Sequence, residues 1–273
     1  MAQWEWAAQS RRCRCVDCGF VLDEVATHWP TCAPILRDVM KSPETTCEPG
    51  ARNKQAFTLN GGCGTHVDAP AHFIPDGRTV EELTPEELVN VPLVVVDVSA
   101  KVAADADYRC TRADVVADEA RHGKIPRGAL VCVRTGWAEA RYEDREAYYN
   151  ADPAEVDAYT KLPRMRFPGV SRDAAAYVCD AGARGLGIDT LNPDGGSTPD
   201  FPVHHEVLGR DREAPASSES HLADQRRAGY IVENLRLSPD VPPRGALAVV
   251  APLNMRDAPE GPARVYASVP EWI

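Results

Sequence analysis

The chain has no run of about eighteen apolar residues, so no segment reads as a membrane-spanning helix. It is short of positive charge: 30 Lys and Arg stand against 41 Asp and Glu, a formal charge of −11 over 273 residues. Phosphate backbones and anionic membrane surfaces are bound by basic faces, so neither nucleic acid nor membrane is an expected partner. The first residues lack the basic start and apolar stretch of a secretory leader; Trp4 and Trp6 precede Arg11, Arg12 and Arg14, and a cytoplasmic protein is expected. There is no internal repeat and no low-complexity tract. What remains, 44% hydrophobic and 26% charged residues, is the composition of a globular chain. A chain of this length can bury roughly 75% of its unfolded surface.

The nine cysteines are an odd number and are expected as free thiols. Cys13-x-Cys15-x2-Cys18, with Cys32 as the nearest fourth thiol, lacks the paired C-x2-C spacing of a zinc knot. Residues 1–15 read as an N-terminal tail and 16–273 as one domain. Leu93 to Ser99 is a continuous apolar run, the mark of a strand buried on both faces. Thr111 and Asp114 open a helix that runs to His122 and stops at Gly123. Ala129–Arg134, Gly185–Asp189, Ile231–Val232 and Ala246–Val250 read as further strands, and Ser171–Ala181 as a helix. Residues 139–160, interrupted by Pro153, read as two helices. Gly209 to Gln225 reads as a polar surface insertion carrying a solvated His221. Strands alternating with helices imply an α/β domain.

The chemistry concentrates in Gly61-Gly-Cys-Gly-Thr-His66-Val-Asp68-Ala-Pro-Ala-His72-Phe73. On extended backbone His66 and Asp68, two apart, share a face. Pro70 favours a turn that returns His72 to the same pocket. Imidazole and carboxylate without thiolate suit zinc, manganese or iron(II). Further donors must come from afar: Asp189, the pair His204–His205, read on a strand with His205 facing away, and Glu233. An acid following two β-branched residues is costly to bury unless paired or coordinated, which makes Glu233 the best distal ligand. Polar packing without a ligand is the plainer alternative for each of these groups. His28 adjoins Trp29, and His122 sits at a helix C-terminus, where a cation is welcome.

Gly-Thr-His66-Val-Asp68-Ala-Pro-Ala-His72-Phe resembles the signature of the cyclase family of metal-dependent hydrolases, which includes kynurenine formamidases and isatin hydrolases. His28-Trp29-Pro30, Val133-Arg-Thr-Gly-Trp137, Phe167-Pro-Gly169, Gly187-Ile-Asp-Thr190, Phe201-Pro-Val-His204-His205, Glu233-Asn234-Leu235 and Pro243-Arg-Gly-Ala246 occur in that family's order. The resemblance implies a single α/β domain with a mixed, partly barrel-like sheet flanked by helices, of the swivelling β/β/α type. It implies His66 and Asp68 as metal ligands, Glu233 as a shared carboxylate, His204 as a ligand of a second metal, and His72 as general acid/base. Trp29, with Phe73, would wall the substrate pocket. The formamidases carry one more histidine ligand, four residues before the position of His66; here that residue is Gly62, followed by Cys63. One Zn2+ or Mn2+ is therefore expected rather than two. The implied reaction is C–N hydrolysis of a small aromatic amide or lactam, like N-formylkynurenine in tryptophan catabolism or isatin, through a metal-activated water. A polyketide-type cyclisation and a non-catalytic binding role are the alternatives. A homodimer or homotetramer is implied as well.

Overall fold

The computed structural model describes residues 12–40, 54–156, 161–196, 198, 200–209 and 229–271. Eight strands form the main sheet: β1 (Cys13–Asp17), β2 (His66–Asp68), β3 (Val89–Asp97), β4 (Leu130–Arg134), β5 (Gly185–Ile188), β6 (Tyr230–Glu233), β7 (Ala246–Pro252) and β8 (Glu260–Pro270). Strands β3, β4, β5 and β6 are parallel neighbours. β7 joins β3 antiparallel, β8 joins β7, and β2 pairs antiparallel with both β6 and β8. The last pairing closes seven strands into a mixed barrel, with β1 laid against β8 outside the ring. This is the expected α/β domain with a partly barrel-like sheet.

Parallel strands need crossovers, and helices supply them. α1 (Arg112–His122) connects β3 to β4, and α2 (Arg172–Asp180) connects β4 to β5. The short α3 (Pro202–Leu208) lies between β5 and β6 in the chain. Alternation along the central strands divides the core in two. Leu93, Val95, Leu130, Cys132 and Val232 point into the barrel, while Val94, Val96, Val131, Val133 and Ile231 point out to the helices. Strands buried on both faces must be apolar at every position, which is why Leu93–Val96 lacks an alternating pattern.

The caps of α1 follow the expectation. The Thr111 hydroxyl accepts from the Asp114 backbone, and Asp114 accepts from the Thr111 backbone and hydroxyl. Burial alone would raise the Asp114 carboxyl, but hydrogen bonds from Lys101, Tyr108 and Thr111 outweigh it and hold it at about 2, below its ordinary 3.8. Its stabilising contribution is therefore complete above roughly pH 4 and is lost as the pH falls toward 2. Thr111→Ala is expected to cost about 1 kcal/mol, read as a lower urea midpoint at unchanged slope.

Three readings of the sequence are corrected. Residues 139–160 do not form two helices about Pro153. Two short helices, Trp137–Arg141 and Arg145–Tyr149, end at Asn150, whose φ is +45°, and Ala151–Val156 then pairs as a strand with Pro163–Met165. Pro153 lies where that register shifts, a place where a strand tolerates a residue without an N–H donor. Cys13 and Cys15, expected in a tail, are already in β1. His204 and His205 sit on α3, not on a strand; Pro202 occupies the first turn, where its fixed φ favours a helix start. Residues 210–225 of the polar insertion, His221 among them, lie outside the described residues. No helix among the described residues is long and apolar enough to cross a membrane.

Candidate metal centre and substrate pocket

The register of β2 against β6 builds the centre. Val67 pairs with Val232 and faces the barrel interior, so His66, paired with Glu233, faces outward with it, and Asp68 stands two residues on along the same face. One neutral core pair thus fixes the side on which an imidazole and two acids emerge. α3 brings His204 over this face. His66 Nε2 lies 3.4 Å from Asp68 Oδ1 and 3.2 Å from Glu233 Oε2. His204 Nε2 lies 3.5 Å from Asp68 Oδ2 and 3.2 Å from Glu233 Oε1.

Each imidazole is held by its other nitrogen. His66 Nδ1 donates to the Gly64 carbonyl at 2.9 Å. His204 Nδ1 faces Asp194 Oδ2 at 2.5 Å, and Asp194 also accepts from the backbone N–H of Val203 and His204. Both Nε2 atoms are thereby directed at the two carboxylates, the arrangement in which outer partners fix the orientation of ligand rings. Burial would push both imidazoles down, but Asp68 and Glu233 hold His66 well above its ordinary range, and Asp194, Asp68 and Glu233 do the same for His204. Burial likewise opposes ionisation of Asp68, yet His72, His66 and His204 keep its carboxyl well below the usual carboxylate range.

Two groups are geometrically able to hold a metal ion: His66, Asp68 and Glu233, and Asp68, His72 and His204, each with candidate ligand atoms within 4.8 Å of one another. The centre also fits a cation on a separate ground. Both carboxylate oxygens of Asp68 and Oε1 of Glu233 are buried without a hydrogen-bond partner. Among the described residues, neither lysine nor arginine lines the cavity to neutralise them. Buried carboxylates without such partners are costly unless a positive charge is supplied.

The cavity over this centre has a volume of about 200 Å3 and is lined by Trp29, Cys32, Phe73, Leu191, Asn192 and Phe201 besides the ionisable groups. Phe73 packs on the His204 ring at 4.3 Å and tilts against Phe201 at 5.3 Å, and Trp29 meets Phe201 edge-on at 6.1 Å. Expected pocket residues Trp29 and Phe73 are therefore both on the wall. His72 follows Pro70 in a 3-10 turn, lines the same cavity, and keeps about 30% of its side chain exposed.

Several candidates stand elsewhere. Asp189 accepts from Thr135 and Gly136 and serves to tie the end of β5 to the turn after β4; burial lifts its carboxyl to about 6. Cys63 is fully buried among Ala26 and Ile35, with its thiol raised by burial. His28 bonds the Trp29 carbonyl, and His205 is exposed, touching Phe73 edge-on. Cys13, Cys15, Cys18 and Cys32 are free, and no thiol joins a metal-competent group among the described residues. The sequence reading gave no role to Asp194, Asn234 or Glu260. Asn234, at φ +54°, accepts from the Tyr148 hydroxyl and donates to the Gly64 carbonyl, so it bridges the loop before β2 to the end of β6. Its left-handed backbone explains an Asn directly after an apolar strand. Asp194 carries only a turn-like Asn-Pro-Asp-Gly signal, and Glu260 none.

Comparison with known proteins agrees with this architecture. The sequence profile of the cyclase family matches residues 16–195. Isatin hydrolase of Roseibium aggregatum is 32% identical over 224 residues, 79% of this chain and 74% of that protein. Kynurenine formamidase of Bacillus anthracis is 38% identical over 77 residues, 28% of this chain and 34% of that enzyme. Among solved structures, an isatin hydrolase bound to the product analogue thioisatinate superimposes with a TM-score of 0.80 at 26% identity, covering 98% of both chains. Isatin hydrolase A of Ralstonia solanacearum superimposes at 0.79 with 28% identity, covering 97% of this chain and 95% of that one. With a profile spanning most of its length and a relative this similar, the chain belongs to the cyclase family of metal-dependent hydrolases.

Proposed function

We propose that the protein hydrolyses the C–N bond of a small aromatic amide or lactam of the isatin or N-formylkynurenine kind, using one Zn2+ or Mn2+. The observation that carries this reading is the convergence of His66 and His204 Nε2 on Asp68 and Glu233, three of whose buried oxygens make no hydrogen bond, at the floor of an aromatic-walled cavity. The ion would be held by His66, Asp68 and Glu233, with His204 completing the shell from α3. When bound it supplies Lewis-acid polarisation of a carbonyl and acidifies water.

The chain's own residues do the rest. His72, partly exposed at the cavity edge, takes a proton from water at a ring nitrogen and returns it to the leaving nitrogen, the two-way transfer for which imidazole is the commonest side chain. Trp29 and Phe73 hold the aryl ring by offset and edge contacts. A cavity of about 200 Å3 lies below the ~300–1,000 Å3 of drug-sized sites and selects a small substrate. The support for an isatin-like over a formamide-like substrate is the similarity to isatin hydrolases along nearly the whole chain, against a short match to the formamidases.

The test is turnover of isatin and N-formylkynurenine by chelator-stripped protein before and after addition of Mn2+ or Zn2+. Isatin hydrolysis restored by the ion is expected. Stoichiometric metal with no turnover of either compound, or of simple aryl esters, would point to a binding role instead.

A further inference from the structure

Glu260 opens β8 directly opposite Asp68 in the β8–β2 register, so its side chain emerges on the face that carries the centre. It reaches the cavity across a gap left by two glycines. A Cβ at Gly61 would lie 2.6 Å from Glu260 Cγ, and one at Gly62 only 2.7 Å from Glu260 Oε2. A side chain at either position would therefore move the Glu260 carboxylate from where it stands. The carboxylate ends 3.7 Å from His72 Nδ1 with about 22% of its side chain exposed, on the cavity wall with Glu233. It adds a third acid to a pocket that already holds the unpartnered oxygens of Asp68 and Glu233, both at least nine-tenths buried. A third carboxylate directed into such a place raises the need for a cation further.

We infer that Glu260 is a further acid of the metal centre, raising its cation affinity from beside the two ligand groups, and admitted to it by the absence of side chains at Gly61 and Gly62. This rests on the proposed metal-dependent reading. It assigns to β8 a contribution to cation affinity, in addition to closing the barrel. Gly62 is then the opening that lets an acid from the far end of the chain face the ion.

The test is the affinity of chelator-stripped, full-length protein for Mn2+ alone and for Zn2+ alone, by competition with a chromophoric chelator, with the melting temperature of each metal-free variant recorded beside it. Glu260→Gln keeps the shape over the glycines and removes the charge; a loss of roughly 10–100-fold in affinity is expected. Gly62→Ala keeps Glu260 in the chain but shifts its carboxylate away from the added Cβ, and is expected to weaken binding as well, by ~10-fold or more. Both losses at unchanged metal-free melting support the inference. Wild-type affinity in the two variants overturns it and leaves the metal-dependent reading intact. A wild-type protein that takes up neither ion overturns that reading, and the role of Glu260 with it.

Discussion

Asp68→Ala is expected to strip the protein of its divalent ion and to abolish hydrolysis. Asp68 is fully buried, belongs to both metal-competent groups, and offers one oxygen toward His66 and the other toward His204. Removing it leaves Glu233 as the one carboxylate between the His66 and His204 rings and takes away the acid shared by both metal-competent groups. The cost in metal affinity should exceed the ~10–100-fold typical of losing an outer partner. Elemental analysis after dialysis checks this: stoichiometric metal in Asp68→Ala counts against Asp68 as a ligand. The fold should survive the loss of this side chain, because Val67 and Val232, not Asp68, anchor β2 to the barrel core.

His72→Ala is expected to retain the ion and to lower kcat by ~10²–10⁴, the usual contribution of a positioned acid/base. The geometry makes this a sharp test. His72 also offers a ring atom within 4.8 Å of Asp68 and His204, which would suit a ligand equally well. Metal content separates the roles, since a base can be deleted without emptying the centre. Loss of metal in His72→Ala would move this residue from proton transfer to coordination, leaving the hydrolysis to be assigned another base.

Much of the centre was legible because it is local. A strand repeats every two residues, so His66 and Asp68 had to share a face wherever that strand lay. Pro70 had to end it, and His72 does return to the same cavity. Glu233 was conspicuous as an acid on an apolar strand, and its burial against His66 follows from that cost. The pair His204–His205 was legible as residues but not as structure: Pro202 starts a helix, so the inward side chain was set by helical packing and not by strand alternation. Pro153 misled in the opposite direction. It reads as a break between helices, yet it sits in a hairpin strand where an irregular register spares it a hydrogen bond.

The amino-acid sequence by itself determined the α/β class, the apolar strands of the barrel, the imidazole–carboxylate motif before Pro70 and the family's order of motifs. These depend on backbone periodicity and on capping chemistry, which act over a few residues. The tertiary structure alone decided which acids and imidazoles meet. The pairing of β2 with both β6 and β8 sets residues 66, 233 and 260 around one cavity, and Asp194 reaches His204 only after α3 folds back over the sheet. Closure of a barrel is a property of strands brought together from opposite ends of the chain. The pattern within any one strand carries no record of the neighbour it will find.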